Sequence, residues 1–76
     1  MEYIYILQYE TDNVGTIWQK AYRNRLSARK GLGNALGNEL LQGNDFKSGD
    51  EDSVTLRHGA IYIQEIALVT LSLIHI

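Results

Sequence analysis

The residues with the most evident chemistry are cations that lie close together in the chain. Arg29 and Lys30 follow Ser27, a credible helix N-cap, and the positive end of a helix dipole disfavours cations in the first turn. Because backbone N–H groups at a helix start bind anions, Ser27 and these side chains predict an anion-binding site. Five of the seven basic residues fall in this segment with no acid among them: Lys20, Arg23, Arg25, Arg29 and Lys30.

Aromatic residues stand beside this basic segment. Trp18 and Tyr22 share one face of a predicted strand with Lys20 and offer stacking surfaces for a base. A basic fork, a helix start and aromatic plates suit a nucleotide or a similar phosphorylated ligand. The alternative is that the cations meet the acidic stretch of the chain or a partner protein. The predicted ligand-binding residues are Trp18, Tyr22, Arg23, Arg25, Ser27, Arg29, Lys30, Arg57 and His58.

Catalytic chemistry finds little support in the sequence. There is no cysteine, and His58 is the one credible base, placed in a predicted hairpin turn without a partner nucleophile. No His or carboxylate spacing fits a metal site, and the acidic stretch lacks the pattern of a calcium loop. The spacing of Gly31, Gly33 and Gly37 does not match a dinucleotide fingerprint. We expect no enzyme, no metal and no cofactor.

The periodicity of the chain predicts one α+β domain over residues 1–70. It is a four-stranded, mostly antiparallel sheet with one helix packed on one face, in the order β-β-α-β-β. Ser27 should cap the helix, and Gly43 should end it as the left-handed residue. The predicted elements are a strand at 2–9, a strand at 16–23, a helix at 28–42, an acidic loop at 44–52, and strands at 53–58 and 60–70.

Side chains alternate across a strand, so the two faces of the sheet can be predicted. The odd-numbered residues of 3–9 form an aromatic face, and we expect the helix to lie on the other side, against Ile4 and Ile6. One helix covers one face only, so the aromatic face should pack on a second copy or stack a planar ligand. The last strand should add Ile61 and Ile63 to the helix side and Tyr62 to the other.

The length and the net charge of the chain limit the kinds of partner that we expect. A chain of 76 residues buries only about 60% of its unfolded surface, which favours a homo-oligomer. The net charge of −2 disfavours a general nucleic-acid binder. No apolar run reaches the roughly 20 residues of a membrane span, and the first residues lack the positive charge of a signal peptide. We therefore expect no membrane and a cytoplasmic location.

The last six residues, Leu71-Ser72-Leu73-Ile74-His75-Ile76, match an in-frame translation of the transposase adapter used in shotgun sequencing libraries. We expect residues 71–76 to be a read-through tail from environmental DNA, which leaves the true C-terminus beyond Thr70 open. His75 is then expected to carry no chemistry.

Three segments resemble a known group of proteins: the tyrosine-rich strand at 3–7, the helix entry Leu-Ser-Ala-Arg-Lys at 26–30, and the strand Ile-Tyr-Ile-Gln-Glu-Ile at 61–66. Over residues 2–69 the chain resembles small phage-encoded β-β-α-β proteins of the host-takeover or anti-defence type. The predicted strand at 53–58 departs from their simplest pattern. The resemblance implies action in the cytoplasm of an infected bacterium, against host immunity.

Three functions remain open on these grounds. The first is a non-catalytic anti-defence protein that sequesters an anionic, nucleotide-derived immune signal. The second is an inhibitor of a host defence enzyme, anti-CRISPR-like, that uses its acidic loop as a nucleic-acid mimic. The third is an RNA-binding sheet face. The acidic loop would act through Asp45, Asp50, Glu51 and Asp52.

Overall fold

The computed structural model describes residues 2–68 and shows one helix and a five-stranded antiparallel sheet. The sheet order is β2-β1-β5-β4-β3, so β1 and β5 are central. The predicted tail at 71–76 lies outside the described residues. The elements are β1 (Tyr3–Thr11), β2 (Gly15–Tyr22), α1 (Arg25–Leu41), β3 (Phe46–Gly49), β4 (Ser53–Leu56) and β5 (Gly59–Ala67).

Two glycines make the hairpins possible. Gly15 has a φ of 86°, a left-handed conformation that only glycine adopts at no steric cost, and it closes the turn between β1 and β2. A Cβ at Gly59 would lie 2.1 Å from the carbonyl oxygen of Glu10, so the β4–β5 turn can approach β1 only because it has no side chain there. Both turns fix the register of the central strands.

The core lies between the helix and one face of the sheet. Leu7 and Tyr9 of β1 stand opposite Ile63 and Ile61 of β5, respectively. The helix buries only two residues, Ala28 and Leu32, so the core is small. Its buried cluster is Leu7, Tyr9, Leu32, Val54, Leu56 and Ile61, with Trp18, Tyr22, Ala35, Leu36 and Ile63 packed around it.

The prediction that the helix covers Ile4 and Ile6 is wrong. The helix covers the face of β1 that carries Leu7 and Tyr9. Tyr9 suits this side because its ring fills the space under the helix while its hydroxyl reaches Glu39, at 2.6 Å. The predicted helix-side position of Ile61 is confirmed.

The four-stranded sheet is also corrected, although the α+β class is confirmed. The predicted loop at 44–52 contains a fifth strand, β3, which pairs with β4. Asp50 closes this hairpin, because its Oδ1 accepts hydrogen bonds from the backbone N–H groups of Asp52 at 2.8 Å and Ser53 at 3.1 Å. Asp50 therefore stabilises a turn within the segment 44–52, which was predicted to be an acidic loop.

The helix begins three residues earlier than predicted. Its N-cap is Asn24, whose Oδ1 accepts a hydrogen bond from the backbone N–H of Ser27 at 2.8 Å. Arg29 and Lys30 consequently lie in the second turn, outside the predicted first turn. Gly43, with a φ of 86°, follows the C-cap as predicted. Within residues 2–68 no helix has the length and apolar character needed to cross a membrane.

Candidate functional site

The fold places Arg25 and Arg29 against acidic side chains. Arg25 Nη1 lies 2.8 Å from Asp52 Oδ2, and its other terminal nitrogen binds Glu65. Arg29 Nε lies 2.8 Å from Asp52 Oδ1, and its Nη1 lies 2.8 Å from Glu51 Oε2. These five side chains form the ion cluster, which joins the start of the helix to the β3–β4 turn and to β5.

The ion cluster presents no surplus of positive charge, since two guanidinium groups face three carboxylates. The hydrogen bond from Arg29 holds the pKa of Asp52 below its usual value. Hydrogen bonds to Glu65 and to Asp52 raise the pKa values of Arg25 and Arg29, respectively. These two arginines thus pair with acidic side chains of the same chain.

The other predicted site residues lie outside the ion cluster. Arg23 and Lys30 are exposed and form no ion pair with another of residues 2–68. Arg57 Nη1 lies 4.0 Å from Asp45 Oδ2, at the β4–β5 turn. The backbone N–H of His58 donates to the side chain of buried Asn44, at 2.9 Å. This turn is roughly 20 Å along β5 from the ion cluster.

Trp18 and Tyr22 lie together in an open groove between β2 and α1. The groove has a volume of about 360 Å³, within the range of small-molecule sites. We call it the β2–α1 groove. It is lined by Leu7, Trp18, Lys20, Tyr22, Gly31, Asn34, Ala35, Asn38, Glu39 and Gln42.

Two periodicities build the walls of the groove. The two-residue period of β2 puts Trp18, Lys20 and Tyr22 on one face. The helix contributes three carboxamides four residues apart, Asn34, Asn38 and Gln42, which follow one ridge of its surface. These amides were not among the predicted site residues, although their four-residue spacing is visible in the sequence. The same spacing continues backwards to Lys30, a predicted site residue.

Gly31 sets the width of the groove. A Cβ at this position would lie 2.3 Å from the hydroxyl oxygen of Tyr22 and 3.2 Å from a methyl carbon of Leu7. Glycine thus lets the Tyr22 ring approach the helix backbone, at a cost of about 1 kcal/mol in helix propensity. Gly31 alone of the three helix glycines meets a ring of the same chain, whereas a Cβ at Gly33 or Gly37 would touch nothing within 4 Å.

The charges in the groove come from Lys20 and Glu39. Lys20 Nζ lies 5.5 Å from the centroid of the Trp18 ring, a cation–π distance. Glu39 is engaged by Tyr9 and by Asn44, which donates to Glu39 Oε1 at 3.0 Å. Burial, and then the hydrogen bond to Glu39, raise the pKa of Tyr9. Lys20 is therefore the charge that a ligand in the groove could recruit.

Within the described part of the chain, no group of three or more His, Cys, Asp or Glu side chains is arranged to hold a metal ion. Comparison of the chain with the models of known protein families, with curated proteins and with solved structures found no match. The groove, with one exposed cation, two aromatic rings and a row of amides, has the chemistry of a site for a planar polar ligand.

Proposed function

We propose that the protein is a non-catalytic binding protein that captures an anionic, nucleotide-like ligand in the β2–α1 groove. The observation that carries this proposal is the convergence of Trp18, Lys20 and the amide row of the helix on one open groove of about 360 Å³. A stacking plate, amide donors and acceptors, and a cation are the groups that a nucleotide needs.

The Trp18 ring supplies the stacking surface. The Nζ atom of exposed Lys20 lies 5.5 Å from the ring centroid. It occupies the position that the ring of a stacked ligand would take. A base that stacked on Trp18 would displace the ammonium group toward the phosphate of the same ligand. Base–aromatic stacking is worth about 1–3 kcal/mol, so the exchange favours a ligand with both groups.

The amide row supplies directional contacts. Asn34, Asn38 and Gln42 are exposed, and each carboxamide both donates and accepts hydrogen bonds, which suits the edge of a base. Lys30 extends the row toward the helix start and adds a second exposed cation. Of the predicted site residues, Trp18, Tyr22 and Lys30 thus belong to the proposed site. Arg25 and Arg29 lie outside it, in the ion cluster.

The phage resemblance supplies the setting. A protein that binds a nucleotide-derived immune signal without turning it over would lower the concentration that the host effectors can sense. We propose this anti-defence role for the groove. The acidic-loop alternative has weaker support from the geometry, because Glu51 and Asp52 are paired with Arg29.

Calorimetric titration with AMP, ADP-ribose and cyclic dinucleotides tests the proposal. We expect saturable binding of at least one of them, with the ligand recovered intact. Lys20→Ala should weaken the affinity roughly ten- to a hundredfold, since a charge-assisted contact is worth about 1.5–3 kcal/mol. Lys47→Ala is the matched control, because Lys47 is an exposed strand lysine outside the groove. Absence of binding for every nucleotide, or equal losses in the two variants, would refute the proposal.

A further inference from the structure

The face of the sheet opposite the helix has no cover within residues 2–68. We call it the open face. It consists of the even-numbered residues of β1 from Ile4 to Glu10 and of β5 from Ala60 to Ile66, with Gln19 and Ala21 of β2 and two residues of β4. The β2–α1 groove lies on the other side of the sheet.

We propose that the open face is the interface of a homodimer in which two sheets pack face to face. The first observation is its lack of charge. Among these strand positions Glu10 is the one charged residue, and the neighbouring charges border the face, with Glu2 and Arg23 beside Ile4 and with Lys47 and Arg57 beside Ala60. Glu10 is also engaged within the chain, since its Oε1 accepts a hydrogen bond from the Tyr62 hydroxyl at 2.7 Å. Depletion of charge is a feature of interface cores and is unusual for a solvated sheet face.

One end of the open face is aliphatic. Ile4 stands opposite Ile66 in the pairing of β1 with β5, and Ile6 stands opposite Ala21 in the pairing of β1 with β2. Ile66 is 43% exposed. Ile4 and Ile6 are half-buried, so the three isoleucines together form a partly exposed apolar patch. Contiguous patches of this kind mark interaction sites when they are large.

The other end is an ordered layer of amides and hydroxyls around Gln8. The Oε1 of Gln8 accepts from Gln19 Nε2 at 2.6 Å and from Gln64 Nε2 at 3.0 Å. Its Nε2 lies 2.9 Å from the Tyr62 hydroxyl. Gln8 is only 5% exposed although the helix does not cover it. The neighbouring amide and hydroxyl side chains therefore pack against Gln8 and are already ordered in the single chain.

The chemistry of the face suits a second copy of the same chain. A two-fold interface requires a surface that complements itself. Amides and hydroxyls meet this requirement because each both donates and accepts hydrogen bonds, whereas a charged face would repel its own copy. The aliphatic and amide ends would each pack against either end of the partner without charge repulsion.

The size of the face approaches what a stable interface needs, and the small core agrees with this occupant. From the strand lengths, the face covers roughly 500 Å² in plan, before the relief of its side chains is added. Stable interfaces bury about 800 Å² of accessible surface per partner. Small domains with few buried residues commonly gain stability from self-association, and this helix buries only two of its residues.

Sedimentation equilibrium of the full chain with the variants Ile66→Lys and Leu40→Lys tests the dimer. The two residues are 43% and 44% exposed, respectively, but Leu40 lies on the helix. The wild type and Leu40→Lys should sediment at twice the chain mass. Ile66→Lys, with two lysines in each interface, should dissociate roughly a hundredfold more readily.

Circular dichroism establishes that each variant is folded, and Gln64→Lys replaces Ile66→Lys in the same test if the latter unfolds. Dissociation by either folded open-face variant, with Leu40→Lys still dimeric, supports the proposal. A monomeric wild type at tens of micromolar would overturn it, as would a dimer that tolerates the open-face lysine as well as the helix lysine. The result does not depend on the ligand of the groove.

Discussion

Tyr9 donates its phenolic hydrogen to Oε1 of Glu39 at 2.6 Å, which joins a central strand to the last turns of the helix. Asn44 donates to the same carboxylate oxygen at 3.0 Å and accepts the backbone N–H of His58. Three segments distant in the chain thus meet at one half-buried carboxylate. This contact fixes the end of the helix that carries the amide row of the groove.

Tyr9→Phe should destabilise the fold by about 1.5–3 kcal/mol, because it removes a hydrogen bond to a charged group under the helix. Urea unfolding followed by circular dichroism measures the change. Tyr3→Phe is the control, since Tyr3 is exposed and makes no side-chain hydrogen bond within residues 2–68. Equal midpoints for the two variants would show that the Tyr9–Glu39 contact contributes nothing.

Gly31→Ala should lower the thermal stability, although alanine favours a helix by about 1 kcal/mol. The new Cβ would lie 2.3 Å from the Tyr22 hydroxyl oxygen and would force the ring out of its place. Gly33→Ala should raise the melting temperature, since a Cβ there touches nothing within 4 Å. If both alanines stabilise the protein alike, then Tyr22 does not pack against the helix as described.

The ion cluster should make stability depend on pH in the acidic range. The folded pKa of Asp52 is lowered from its usual 3.8, so its contribution is present above about pH 4 and is lost as the pH falls through the folded pKa. Asp52→Asn should therefore melt below the wild type at pH 7, and the gap should narrow toward pH 2. Asp12→Asn, at an exposed turn residue, should show no such narrowing; a gap for Asp52→Asn that stays constant over this range would contradict the assignment.

The basic residues should divide into two functional groups. Arg29→Ala should lower the melting temperature, because Glu51 and Asp52 lose their partner, and should leave nucleotide affinity within about twofold. Lys20→Ala should weaken the nucleotide affinity and leave the melting temperature unchanged. Thermal melts and calorimetry of both variants check this division. Loss of binding in Arg29→Ala at temperatures where the variant remains folded would contradict this division and would indicate a binding site at the start of the helix.

Much of the fold was predictable because its signals are local. The hairpin turns at Gly15 and His58-Gly59, and the helix with its leucine stripe, all follow from short-range patterns. The cap was misplaced because Asn24 and Ser27 are both good capping residues. Asn24 fits because its side chain reaches the N–H of Ser27, three residues on.

The faces of the sheet and the ion cluster were not predictable in this way. The first strand is apolar on both faces, so its period could not decide which side receives the helix. Pairing of Arg29 with Asp52 joins residues 23 positions apart, and no local pattern carries such a contact. The position of Trp18 and Tyr22 on one strand face was visible, but their meeting with the amide row depends on how the helix lies over β2.

The fluorescence of Trp18 tests the central claim most directly, because it is the one tryptophan of the chain and forms a wall of the β2–α1 groove. Titration with the nucleotide that gives calorimetric heat should quench this fluorescence, with the same saturation curve, as the base stacks on the indole. Binding heat without any change in Trp18 fluorescence would contradict the proposed site.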